Sequence, residues 1–263
     1  MLKDFTFPVY RDLIQTLRNS DYLFLTFKDY LSCPTDSKCV ILRHDIDAAP
    51  AKALEFARYE NSFGVESSYY FKTRNYLFNK EIIKEIVSLG HEIGYHYEDL
   101  AKAKGDPEKA IRSFKKNLEL IRTYYPVTTI CMDGSVLSGW NNLDLWKYYD
   151  HHSNGITGEP YLDLDFNKIL YLSDTGRRWN AVRYSLYDKV DTMFSYVNKS
   201  TFDIIHDLKK GDLPAQIMIT THPQRWHSRL DAWMVEVVTQ WVKNRIKFLI
   251  IKYKNRDAKN RDA

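Results

Sequence analysis

The chain has little cysteine: three in 263 residues, at Cys33, Cys39 and Cys131. An odd number in a chain of this length excludes a disulfide framework as the source of stability. Cys39 and Cys131 fall in apolar, strand-like runs and read as small core residues. An apolar leader is also missing. Met1 is followed by Leu-Lys-Asp-Phe, with no hydrophobic stretch and no small-residue cleavage site, so no signal peptide is expected. No run reaches membrane length, and the apolar stretch near the end, Phe248 to Ile251, falls far short of it. Net charge is small, at +4, and much of it comes from the Lys- and Arg-rich Arg245 to Ala263. A near-neutral body argues against a dedicated nucleic-acid binder. These absences predict a soluble, cytoplasmic protein with no transmembrane segment and no nucleic-acid partner.

What is present supports a large core. Hydrophobic residues make up 44% of the chain, with 19 Tyr and 6 Trp among them. The length fits one large domain, placed at residues 1–253, followed by a basic frayed tail at 254–263. That tail repeats Lys-Asn-Arg-Asp-Ala twice. Apolar strand-like runs alternate with helical patterns. Strands are expected at Val40–His44, Ser67–Phe71, His91–His96, Thr128–Met132, Lys168–Leu172 and Gln216–Thr221. Helices are expected at Pro50–Phe63, Asn79–Leu89, Asp106–Tyr125, Thr201–Lys209, and from Ser228 to about Tyr253. Six or seven strand–helix units predict an α/β fold with a parallel sheet, closed into a barrel rather than left open.

The chemistry-bearing residues cluster at the ends of these strands, where parallel α/β folds place their sites. VILRHDID, Val40 to Asp47, begins as a buried strand and ends in ionisable groups. Alternation puts Asp45 and Asp47 on one side, where two carboxylates repel unless a cation or a shared proton separates them. Arg43 is placed to pair with Asp45 and keep it ionised. In SLGHEIGYHYEDL, Ser88 to Leu100, His96 reaches the same rim and suits a divalent ion together with Asp47. Glu98 shares that side if the chain stays extended. His91 reads as a satisfied core histidine.

IMITTHPQRWH, Ile217 to His227, delivers His222 to the rim, either as a general acid or as a hydrogen-bonded loop histidine. In YLSDTGRRWN, Tyr171 to Asn180, Asp174, Arg177, Arg178 and Trp179 suit binding of a sugar or an acidic group, or form an ordinary surface turn. After the strand ending at Met132 come Asp133, Gly134 and Ser135, whose backbone N–H groups are positioned to face a substrate oxygen.

The order DxD, then GHEIGxH, then a strand ending in His resembles the polysaccharide deacetylase family (the NodB homology domain, carbohydrate esterase family 4). RHDID, HEIGYHYE, DTGR and THPQRW are more similar to its WbmS-like branch, linked to O-antigen biosynthesis. The resemblance spans Val40 to Trp226. It implies a distorted, often seven-stranded β/α barrel with outer helices, and metal-dependent removal of an acyl group from an amino sugar. It gives Asp45 the role of catalytic base, Asp47 and His96 those of metal ligands, and His222 that of the acid for the leaving group. The implied cofactor is a divalent ion, expected to be zinc.

Two departures stand out. Leu100 sits where the family has its second metal histidine, and Asp133-Gly134-Ser135-Val136 where a His-Gly-Ser-Pro string is expected. Glu98 is the first substitute ligand, ahead of Asp99, Asp133 and Asp174. The expected substrate is a carbohydrate, an amino sugar in nucleotide- or lipid-linked form. The rival readings are a degenerate barrel that binds sugar without turnover, hydrolysis of a different amide such as an N-formyl group, and an HD-type phosphohydrolase, which would require His44-Asp45 on a helix.

Overall fold

The computed structural model describes residues 3–33, 36–74, 76–134, 138–179, 187, 189–196 and 200–261, with side chains up to 252. Helix α1 (Phe7–Asn19) has Pro8 in its first turn and turns Tyr10, Leu13, Ile14 and Leu17 into the core, the spacing of one helical face. Strand β1 (Leu23–Leu25) and helix α2 (Phe27–Ser32) follow, α2 capped by the Thr26 side chain. Strand β2 (Cys39–Ile46) is buried throughout. Helix α3 (Pro50–Asn61), strand β3 (Ser68–Phe71), helix α4 (Lys80–Ser88) and strand β4 (Glu92–Tyr97) come next. Helices α5 (Asp99–Lys102) and α6 (Pro107–Arg122) lead to strand β5 (Ile130–Met132). Helix α7 (Pro160–Asp163), strand β6 (Ile169–Ser173), helix α8 (Thr201–Lys210), strand β7 (Gln216–Thr221) and helix α9 (Leu230–Arg261) complete the order.

All strand pairs are parallel, in a seven-stranded sheet ordered β5-β4-β3-β2-β7-β6 with β1 added against β2. The sheet curls with helices around it into a distorted β/α barrel, the architecture expected from the alternating pattern. β1 and β3 share one edge of β2. Leu23 registers with Cys39 and Arg43 with Ser68, so the first half of β2 pairs with one strand and the second half with the other. The sequence pattern did not reveal β1, because three residues are too few to show a period.

Alternation along the strands separates two buried layers. Val40 and Leu42 of β2, Tyr69 and Phe71 of β3, Ile93 and Tyr95 of β4, and Ile217 and Ile219 of β7 pack in the main core with the helices. Ile41, Tyr70, Cys131 and Met218 fill the barrel interior with Phe27 of α2. Gly94 is required there: a Cβ on it would lie 2.3 Å from the Tyr70 ring. Glu92 in the interior has its partners, as burial of a carboxylate demands. Glu92 accepts from Ser68 Oγ at 2.6 Å, from Lys28 N at 3.1 Å and from Thr129 Oγ1.

Beneath the helices a second polar cluster forms around the buried Glu60. It accepts from Tyr10, from Ser67 Oγ at 2.5 Å and from Tyr69 at 2.7 Å, and lies 2.8 Å from His44 Nε2. His91 is held in the same region. Its Nε2 donates to Ala57 O at 2.9 Å and its Nδ1 accepts from Ser67 N at 3.2 Å. Helix α9 is tied to the body by Trp233 Nε1 donating to Asp4 O and by Asn244 Nδ2 donating to Gly176 O. Its backbone runs to Arg261.

Candidate active site

The site is assembled at the carboxyl ends of β2, β3, β4, β5 and β7. Arg43 and Asp45 both point into the barrel from β2. The guanidinium grips the carboxylate with two bonds, Nε to Oδ1 at 2.8 Å and Nη2 to Oδ2 at 2.6 Å. The Tyr161 hydroxyl lies 3.3 Å from Nη1 on its other side. Burial alone would raise the Asp45 carboxyl, but Arg43, with His96 and His222 nearby, holds it at about 2. Arg43 is itself buried, so it serves Asp45 from below and is not exposed to a ligand.

Asp47 lies beyond the strand end, where the backbone turns and its N–H meets Asp45 O at 3.1 Å. Two imidazoles face its carboxylate. His96 Nε2 is 3.6 Å from Oδ1 and His222 Nε2 is 3.6 Å from Oδ2. His96 donates from Nδ1 to Cys131 O at 3.0 Å, which leaves Nε2 with its lone pair toward the site. Burial disfavours the charged form of His96, yet the carboxylates of Asp45 and Asp47 raise its pKa overall. Asp133, just past β5, completes the group: ligand atoms of Asp47, His96 and Asp133 all lie within 4.8 Å of one another. Burial together with the charge of Asp47 raises the Asp133 carboxyl. One imidazole and two carboxylates are donors suited to a divalent ion such as zinc, so this donor set fits the metal that the motifs imply.

A lysine shares those carboxylates. Lys72, the residue after β3, is buried, hydrogen-bonds to Asp47 Oδ1 and lies 3.3 Å from Asp133 Oδ2. Burial opposes its charge, but Asp47 and Asp133 raise its pKa above the ordinary lysine range. Against burial, Lys72 and the two histidines hold Asp47 well below the usual carboxylate range. Sequence reading missed Lys72. Its only signal was a cationic residue directly after the apolar strand SYYF.

His222 is oriented from behind. Its Nδ1 donates to Asp174 Oδ1 at 2.6 Å and its backbone N to Oδ2 at 3.0 Å. Asp174 also accepts from Arg225 Nη1 at 2.7 Å and Trp226 Nε1 at 2.8 Å. Burial raises the Asp174 carboxyl, but Arg225 and His222 outweigh this and lower it. The expectation that Asp174 contacts substrate therefore gives way to a place behind His222. Arg225 and Trp226 were visible in THPQRW but had no assigned part.

Other expected contacts are displaced. Glu98 turns away from His96 because β4 ends at Tyr97 and Glu98 takes a non-extended backbone that starts α5. Its carboxylate lies on Arg74, with Nε donating at 2.7 Å, and 2.7 Å from Lys102 Nζ. Leu100 is buried in the main core. Trp179 is buried against Phe5 and Trp226 and donates from Nε1 to Thr201 at 3.0 Å, so its ring faces the core and not a sugar. Arg177 adopts φ 55°, donates to Arg225 O at 2.6 Å and lies over Phe5. Arg178 is at the surface, and Ser135 lies outside the described residues. Beside Asp133 a cleft of about 370 Å³ is lined by Arg74, Glu98, Lys102, Lys104 and Trp140.

No family model and no curated protein matches the chain. Solved structures do. A CE4 esterase from Streptococcus mutans is 13% identical over 91% of each chain, with a TM-score of 0.47. A mutant of the peptidoglycan deacetylase PdaC from Bacillus subtilis is 10% identical over 86% of this chain and 98% of that one, with a TM-score of 0.44. A CE4 family pseudoenzyme from Bacillus anthracis is 12% identical over 79% of this chain, with a TM-score of 0.43. The chain spans 62% of that pseudoenzyme's length, less than two thirds. Among the described residues no helix is long and apolar enough to cross a membrane. The structural neighbours of this chain are thus CE4 family esterases and deacetylases, at least one of them a pseudoenzyme.

Proposed function

We propose that this barrel is a hydrolase that removes an N-acetyl or similar acyl group from an amino sugar in surface-polysaccharide or O-antigen biosynthesis. One observation carries this reading: His96 has both the Asp45 and the Asp47 carboxylates within 4.8 Å, and an Asp174-backed His222 reaches the same Asp47 from β7 at 3.6 Å. Amide hydrolysis needs both a proton acceptor for water and a proton donor for a strongly basic amine. In this reading Asp45, kept charged by Arg43, accepts the proton of the attacking water. His222, its ring fixed by Asp174, turns Nε2 to the departing nitrogen and serves as its proton donor. His96, Asp47 and Asp133 would hold a divalent ion, zinc in our reading, which supplies polarisation of the carbonyl and a lowered pKa for water.

The cleft beside Asp133 has the cations and the exposed ring of Trp140 that a nucleotide- or lipid-linked sugar would use, with Arg74 and Lys102 partly neutralised by Glu98. The test is release of acetate and free amine from N-acetylated sugar nucleotides by purified protein. Activity that disappears in both Asp45→Asn and His222→Ala supports the reading; turnover that survives either substitution removes that residue from its role. A second reading, sugar binding without turnover, is favoured by the core position of Leu100 and by Lys72 on the metal carboxylates. It predicts sugar binding in a protein that releases no amine.

A further inference from the structure

We propose that Lys72 is the resident cation of the Asp47–Asp133 pair, and that a divalent ion enters this site only in exchange for the Lys72 ammonium. This rests on the metal reading given above, and it adds a residue that controls occupancy of the site.

Asp47 and Asp133 approach each other at a rim where two bare carboxylates would repel. The Lys72 Nζ lies between them, hydrogen-bonded to Asp47 Oδ1 and 3.3 Å from Asp133 Oδ2. Its side chain is only 6% exposed, so the contact is built into the interior and is not a chance surface pair. Asp47 Oδ1 is also the oxygen that faces His96 Nε2, so the ammonium uses the same donor atom that a metal would use. Two cations on one pair of carboxylates repel each other, and a divalent ion repels the ammonium twice as strongly as a monovalent one would. One of them must leave. The lysine is able to do so, because its four-carbon stem is flexible and its charge is compact. The residue two positions on, Arg74, is already held by Glu98 and leaves the rim to Lys72. With Leu100 buried in the core, no histidine at that position adds a donor to favour the metal over the ammonium.

The test uses the full chain, stripped with a chelator and titrated calorimetrically with Zn²⁺ and Mn²⁺. Lys72→Met removes the competing charge while keeping the stem. It should bind one equivalent of metal at least tenfold more tightly than the wild type, whereas Lys72→Arg should not tighten binding. Equal affinity in wild type and Lys72→Met overturns the exchange while leaving the metal site standing. Binding in neither protein overturns the exchange and the metal reading together. A second measurement needs no variant to fold: acylation of Lys72 in the wild type by a small amine-reactive acyl donor such as acetic anhydride, followed by peptide mass spectrometry. Saturating Zn²⁺ should raise labelling of Lys72 several-fold; unchanged labelling with metal bound overturns the proposal.

Discussion

The Nδ1 of His222 lies 2.6 Å from Asp174 Oδ1, and this bond decides which nitrogen the imidazole presents to Asp47. Replacing the carboxylate with an amide turns one of its two acceptor oxygens into a donor and removes the charge that orients the ring. Asp174→Asn is expected to lower kcat by about 10²- to 10⁴-fold with a much smaller change in KM. Steady-state kinetics on folded variant checks this; an unchanged kcat would show that His222 needs no such orientation.

Arg43 should govern the acid limb of the pH profile. Asp45 is held at about 2, so it is ionised at neutral and mildly acidic pH. Burial pushes the opposite way, and without the guanidinium fork the carboxyl pKa rises. In Arg43→Lys, which loses the two-bond geometry, activity should fall as pH drops through the mildly acidic range, where the wild type stays flat. The measurement is kcat/KM against pH for both proteins. Superimposable acid limbs would mean that Arg43 does not set the charge of Asp45.

Glu60 should set a stability threshold on the acid side. It is buried, and although burial raises its carboxyl, His44, His91 and Ser67 bring it down to about 2 from an ordinary value of 4.5. A depressed folded-state pKa contributes stability that is present above 4.5 and is lost as pH falls toward about 2. That contribution is of order 3 kcal/mol. Chemical denaturation between pH 7 and pH 2.5 should show a steeper loss in wild type than in Glu60→Gln, which should already be destabilised by about 3–5 kcal/mol at neutral pH. Parallel curves would assign the acid sensitivity to other carboxylates.

Gly94 tests the packing of the barrel interior. A methyl group there meets the Tyr70 ring at 2.3 Å, and the ring is fixed by its hydroxyl donating to Thr129 Oγ1 at 3.1 Å. Gly94→Ala should cost about 1–3 kcal/mol through overpacking. Adding Tyr70→Leu should recover part of that loss in denaturant melts. A Gly94→Ala protein as stable as wild type would show that the interior yields easily at this level.

Much of the architecture was legible because buried parallel strands are continuous apolar runs and their helices carry a 3.6-residue period. Val40–Leu42, Ile93 and Ile217–Ile219 needed no partner to be recognised as core. The alternation of side chains along the strands was legible for the same reason. It failed at Glu98, where the strand stops at Tyr97: side-chain direction is set by backbone conformation, and the sequence does not mark the residue at which extended backbone ends. Trp179 was misjudged because a ring in a polar turn reads as exposed until the elements that cover it, here Phe5 and Trp226, are in place.

By itself the sequence determined the strand–helix alternation and the gathering of ionisable residues at strand ends. These are local consequences of side-chain period and backbone chemistry. Only the tertiary structure decided that Asp174 backs His222, that Asp133 and not Glu98 joins Asp47 and His96, and that Lys72 occupies their carboxylates. Those are pairings across strands far apart in the chain, set by how the sheet curls and by the need of each buried charge for a partner.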